Sequence, residues 1–216
     1  MPSRRWIVAI VFLISLCRSI AAEDVLVFGD AAADAGAGRE CLSDGALERI
    51  DTSDGDAWFG WMAGYTAVAG SGRESSMGVC CRNAAMDEQR GIAQTITLDQ
   101  TAAVPLRASV WSRAKGVDGT PNGGYSLYAD VAYADGDHLW AQYSAFSVGN
   151  HDWEQRTLLI VPAKPIKSMT LYGLFRGHTG EVCFDDFSLV ALDAKGSLFE
   201  NVFVSDMHSK DASGHV

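Results

Sequence analysis

Helical periodicity is nearly absent from this 216-residue sequence; only residues 46–50 offer the makings of a single turn. Positive charge is also scarce, with 17 Lys and Arg against 27 Asp and Glu and a net charge of −10. That balance argues against nucleic acid and anionic membranes as partners, because both are bound by positive charge. The usual signatures of catalysis are missing. There is no G-x-S-x-G elbow, no H-E-x-x-H pair and no Walker loop. Internal repeats and N-x-Ser/Thr acceptor sites are absent as well. Long apolar runs are limited to one, residues 6–16 (WIVAIVFLISL).

That run follows Arg4 and Arg5 and precedes the small residues Ser19, Ala21 and Ala22. Positive, apolar, then small is the layout of a secretory leader, and the run is about half the length of a bilayer crossing. The sequence therefore predicts a leader over 1–22, one exported domain over 23–195, and a polar tail over 196–216 with too few apolar groups to join a core. Removing the leader takes away Arg4, Arg5 and Arg18 but no acid, leaving 14 basic and 27 acidic residues, or −13. The expected setting is secreted and extracellular, with no membrane span in the mature chain.

Cys41, Cys80, Cys81 and Cys183 remain after the leader. An even number in an exported chain predicts two disulfides, with three possible pairings. Cys80 and Cys81 are poorly placed to bond to each other, and on a strand they point to opposite faces. Zinc would need a second close Cys or His pair, which the sequence lacks.

Short β-prone runs recur at 25–28, 76–81, 92–98, 106–111, 125–133, 139–146, 157–161, 168–175 and 181–192. Turn chemistry separates many of them: Asp54-Gly55, Asp118-Gly119, Asn122-Gly123-Gly124, Asp135-Gly136 and Gly149-Asn150. The stretch 31–38 is small and flexible and reads as a loop. Many strands without intervening helices predict an all-β sandwich or jelly roll.

Three segments in order, QTITL (94–98), LRASVWSR (106–113) and VCFDDFSL (182–189), resemble carbohydrate-binding modules of the jelly-roll, galactose-binding-like type. Gly29-Asp30 looks like that family's opening element, Gly91-Ile92-Ala93-Gln94 like its G-x-x-Q strand, and Phe184-Asp185-Asp186-Phe187-Ser188-Leu189 like its closing strand. The resemblance spans roughly 25–192. It implies a β-sandwich that binds a polysaccharide or glycan and catalyses nothing. It also implies that Cys183 bonds to Cys80 or Cys81, with the other of that pair bonded to Cys41. A structural calcium ion held by Asp30, Asp185 and Asp186 is a further implication, weakened because Ala31-Ala32 replaces the family's Phe-Glu.

A sugar site needs aromatic faces for C–H surfaces and planar polar groups for hydroxyls. A strand supplies both when side chains two apart point away from the core. In 125–133, Tyr125, Leu127, Ala129, Val131 and Tyr133 suit the core, leaving Tyr128 and Asp130. In 106–113, Leu106, Ala108 and Val110 suit it, leaving Trp111 and Arg113. In 168–176, Met169, Leu171, Gly173 and Phe175 suit it, leaving Tyr172 and Arg176; near Trp140 the same-side neighbour is Gln142. The expected binding face is therefore Trp111, Arg113, Tyr128, Asp130, Trp140, Gln142, Tyr172 and Arg176, each weighed against an ordinary structural role. Trp58, Trp61 and Tyr65, in a glycine-rich stretch, form a second candidate location at loop ends. The acidic run Asp51, Asp54, Asp56 lacks the spacing of an EF-hand loop. Two alternatives remain. One is a protein-binding adhesion domain, which would expose a large apolar patch. The other is a jelly-roll lyase or hydrolase drawing on His138, His151 or His178, all expected at exposed turns.

Overall fold

The computed structural model describes residues 25–28, 38–50 and 57–192. The expected leader and tail, Asp30, the loop 31–37 and the acidic run 51–56 lie outside the described residues.

The described chain is a β-sandwich jelly roll of twelve strands with no α-helix. In chain order the strands are β1 (Val25–Phe28), β2 (Gly38–Glu40), β3 (Trp58–Met62), β4 (Thr66–Ala69), β5 (Met77–Asn83), β6 (Gln89–Thr97), β7 (Leu106–Val117), β8 (Tyr125–Tyr133), β9 (His138–Ala145), β10 (Gly149–Val161), β11 (Ile166–Arg176) and β12 (Gly180–Leu192). A seven-stranded sheet runs β1-β10-β7-β12-β5-β4, with β2 also pairing β12; a five-stranded sheet runs β3-β6-β11-β8-β9. Every pairing is antiparallel. The stretch 46–50 forms turns, with Leu47 at φ 59° burying its side chain completely.

Strict apolar alternation dictates the core. Tyr125, Leu127, Ala129, Val131 and Tyr133 are buried from β8, and Leu106, Ala108 and Val110 from β7. Tyr125 packs on Phe146, Phe175 and Phe184, and its hydroxyl lies 2.7 Å from Ser112 Oγ, tying β8 to β7 across the sandwich. The closing strand breaks the alternation. A register shift between Asp185 and Ser188, with Asp186 at φ 51°, lets Phe184 and Phe187 both turn inward. Gly173 faces them; a Cβ there would meet the Phe187 ring at 2.9 Å, so the sheets close at this point only over a glycine.

Cys80 lies opposite Cys183 in the β5–β12 register, and the two form a disulfide. The second expected bond is absent: Cys41 and Cys81 are free. Cys81 points into the core opposite Val182, whereas Cys41 follows β2 and donates its amide to the Leu189 carbonyl. Seven residues of β12 separate those two neighbours, on the order of 20 Å at strand rise. Burial pushes the Cys81 thiol up to about 12, which keeps it protonated and unreactive.

Candidate functional site

The eight residues expected on one face are divided by the structure between two. Trp111 and Arg113 stand on the outer side of β7, in the seven-stranded sheet; Tyr128, Asp130, Trp140, Tyr172 and Arg176 belong to the five-stranded sheet. The reason is topological. Alternation tells which side chains leave the core, but both sheets have an outer side, and strand order decides which sheet a strand joins. Gln142 is on neither outer face. A bulge between Ala129 and Val131, with Ala141 at φ 62°, shifts the parity of β9. Gln142 then pairs with core-facing Ala129 and its amide donates to the Trp140 carbonyl at 2.6 Å, while Tyr143 comes opposite Tyr128. Asp130 holds that bulge by accepting the Ala141 amide at 3.0 Å.

On the five-stranded sheet, register brings the outward residues into rows. Tyr172 of β11 lies between Tyr128 of β8 and Ala93 of β6, and Phe59 of β3 continues that row. The Tyr128 and Tyr172 rings meet edge to face at 5.5 Å. The Arg176 guanidinium sits over Tyr128 at 5.7 Å and over Trp61 at 5.6 Å. Burial, then the neighbouring Asp130, raises both tyrosines above their ordinary range, Tyr172 to about 12. Both hydroxyls therefore stay protonated at neutral pH. Trp140 stacks on His138 at 4.5 Å with nearly parallel rings and is 59% exposed. A Cβ on Gly91 would lie 2.8 Å from the Gly173 carbonyl, so only glycine fits between β3 and β11 at this point of β6, with Trp61 and Leu174 flanking it.

The second candidate location is split by the structure, with Tyr65 partly buried against the core. Residues 58–62 are strand β3, and its period of two sends Trp58 and Trp61 to opposite sides. Trp58 is core: it packs on Phe187 at 4.7 Å and donates to the Ser43 and Asp44 carbonyls, both at 3.0 Å. Trp61 joins the face already described. Phe59 and Tyr143 were thus named in no expectation, while Trp61 and His138 were named only for other roles. Their odd-even spacing was readable for Trp58 and Trp61, but the glycine-rich composition hid the strand.

The seven-stranded face is arranged differently. Arg73 lies 4.0 Å above the Trp111 ring and is ion-paired to Asp186. Arg113 lies over Trp153 at 5.3 Å, beside a 520 Å³ hollow lined by Lys115, His151, Asp152 and Glu181. Asp185 is buried and accepts from the Arg73 amide at 2.7 Å, Ser76 Oγ at 2.9 Å and the Asp186 amide at 2.7 Å. Both carboxylates named for calcium thus already hold protein donors. Among the described residues no three His, Cys, Asp or Glu side chains converge on a metal-sized space. The three histidines are dispersed. His178, expected at an exposed turn, is buried, with Nδ1 2.7 Å from the Asp118 carbonyl and Nε2 3.1 Å from Asn122 Oδ1, where it clamps the β7–β8 connection.

No family model matches the sequence. A stretch of 102 residues, 45% of this chain, is 37% identical to the tRNA nuclease WapA of Bacillus subtilis strain 168, and equally to the tRNA(Glu)-specific nuclease WapA of Bacillus subtilis subsp. natto. That stretch spans 4% of the length of those relatives. Among solved structures, the CBM22-1 xylan-binding domain from Paenibacillus barcinonensis Xyn10C superposes with a TM-score of 0.53 at 12% identity, covering 74% of this chain and 99% of that one. The arabinose-bound α-L-arabinofuranosidase MgGH51 gives 0.51 at 15% identity, covering 74% and 29%, and bacteriophage CBA120 tailspike protein 4 gives 0.51 at 13%, covering 71% and 21%. At these identities the likeness is one of fold: the chain has the β-sandwich of jelly-roll carbohydrate-binding modules.

Proposed function

We propose that this chain is a secreted, non-catalytic module that binds a polysaccharide or glycan on the outer face of its five-stranded sheet. The observation that carries the reading is the chain of Trp61, Arg176, Tyr128 and Tyr172 on one face, each within 6 Å of the next, bordered by Asp130 and the exposed Trp140. Rings offer π-faces to sugar C–H groups, and protonated tyrosine hydroxyls and a guanidinium offer directional partners to sugar hydroxyls. The fold shared with a xylan-binding domain supports the same reading. Export is supported by the leader-like start of the sequence and by the Cys80–Cys183 bond, which belongs in an oxidising compartment. A nuclease role is disfavoured by the acidic charge and by the small share of the WapA proteins that is matched.

Screening the purified chain on a glycan array tests the proposal. Binding to at least one plant or bacterial polysaccharide is expected, and Tyr128→Ala and Tyr172→Ala should each remove it without unfolding the protein. A wild-type chain that retains no glycan, or folded variants that bind as well as wild type, would defeat it.

A further inference from the structure

Arg176 ends β11 and faces two environments. On one side its guanidinium covers Trp61 and Tyr128; on the other it lines a recess of 500 Å³ shared with Met86, Gln89, Asn122 and Gly177. Gly177 has φ +64° and nothing within 4 Å of where a Cβ would stand, so protein does not fill this part of the recess.

None of the described carboxylates pairs with Arg176, although acids outnumber bases in the chain. The acids around it are committed elsewhere. Glu88 pairs with Arg90, Asp118 accepts the Thr179 amide at 2.7 Å, and Asp130 holds the β9 bulge and hydrogen-bonds to the Tyr128 and Tyr172 side chains. Arg176 is therefore a half-buried cation with no carboxylate partner among the described residues, laid across two rings, hydrogen-bonded to Tyr128 and lining an open recess. A guanidinium in that position still offers its N–H fork, whose geometry matches a carboxylate bidentately.

We propose that the face selects glycans carrying a uronic acid, and that Arg176 pairs with its carboxylate. This rests on the glycan-binding reading above and adds the ligand class. The net charge of −10 speaks against a broad polyanion surface. The recognition is of one carboxylate at short range, on a chain otherwise held by the rings. Gln89 and Asn122 line the same recess, but the Asn122 side chain is spent on Thr120, Gly124 and His178, which leaves Gln89 for the neighbouring hydroxyls.

Titration calorimetry with two probes tests this: trigalacturonate and a xylotetraose bearing a glucuronic acid branch, each compared with its methyl ester. The acid form of at least one should bind tenfold or more tightly than its ester. Arg176→Gln should bring that ratio to about one, while Arg176→Lys keeps part of it. Tyr128→Ala should weaken acid and ester alike. The melting temperature of Arg176→Gln should stay within a few degrees of wild type, since surface substitutions change stability little. Equal binding of acid and ester, or a ratio unaffected by Arg176→Gln, overturns the carboxylate proposal and leaves the glycan reading standing. Failure to bind these probes together with failure on the glycan array overturns both.

Discussion

On the seven-stranded sheet Arg73 lies 4.0 Å above Trp111 and is ion-paired to Asp186; on the five-stranded sheet Arg176 lies over Trp61 and Tyr128 with no ion-pair partner among the described residues. Both faces combine an aromatic ring with a guanidinium, so residue type does not separate them. What differs is whether the cation is satisfied and whether rings are left open. Trp111 is covered by a turn, residues 73–75, that its own sheet holds through buried Asp185. Across the sandwich, Trp140, Phe59 and Tyr143 are exposed along the sheet. Around Trp111 the first face satisfies its own cation, although Arg113 over Trp153 has no ion-pair partner among the described residues; the second face adds exposed rings to its unpaired cation. Breaking or sharpening that contrast takes variants on both sides and one on the core between them.

The largest effect is expected from Trp58, three residues from Trp61 and on the opposite side of β3. Trp58→Ala should cost on the order of 3–5 kcal/mol, the range for deleting a large buried aromatic side chain. It also leaves the Ser43 and Asp44 carbonyls without their indole donor. Trp61→Ala should cost about 1 kcal/mol or less and weaken glycan retention. Urea unfolding of the two variants checks this pair. Equal costs would mean that β3 does not alternate as described.

Next comes the disulfide on the seven-stranded face. Cys80 and Cys183 are 103 residues apart in sequence, so replacing both by Ser should lower stability by on the order of 2–4 kcal/mol. Glycan binding below the melting temperature should persist, because the bond lies on the sheet opposite the proposed site. In the native wild type, iodoacetamide should label Cys41 and spare Cys81, whose thiol is buried and pushed up to about 12. Labelling of Cys81 before unfolding, read by peptide mass, would contradict that placement.

The contrast itself is tested by Trp111→Ala beside Tyr128→Ala and Tyr172→Ala. Trp111→Ala should leave glycan binding unchanged, whereas either tyrosine variant should reduce it at least tenfold, with all three folded. If Trp111→Ala also removes binding, the seven-stranded face is the site or shares it.

These variants also mark what was legible in the sequence. Alternation in β7, β8 and β11 identified the core residues of those strands and the outward parity of Trp111, Tyr128 and Tyr172. It was silent on sheet membership, because pairing partners such as Tyr172 and Ala93 lie far apart in the chain. Local irregularities defeated it too. Gln142 was misplaced by one positive φ at Ala141, and Phe184 and Phe187, three apart, share the core only through the bulge at Asp186. Leu174 has outward parity yet is buried, in the same row as Trp61 and Gly91. The β3 strand was hidden by Gly60 and the glycines around it, and with it a ring on which Arg176 rests.

The smallest expected effect concerns what closes the seven-stranded face. Asp185 fixes a turn in which Glu74 and Ser75 adopt φ 52° and 66°, a conformation costly for residues with side chains. Burial raises the Asp185 carboxyl above the ordinary carboxylate value, only partly offset by its hydrogen bonds from Arg73, Ser76 and Asp186. A raised value means that the native state holds this proton more tightly than the unfolded chain does. Between the unfolded value, about 3.9 for Asp, and the higher folded one, Asp185 therefore contributes a loss of stability as pH rises; above the folded value the loss is complete and constant. Asp185→Asn cannot titrate, so the stability of wild type relative to this variant should shrink as pH rises through that window and then level off. Melting temperatures of both proteins from pH 3.5 upward measure it, and the difference in emission between each protein and its Trp111→Phe counterpart reports whether Arg73 stays over the ring. Parallel curves would show that the hydrogen bonds from Arg73, Ser76 and Asp186 offset the burial of Asp185 in full, and that the turn over Trp111 carries no stability that depends on this proton.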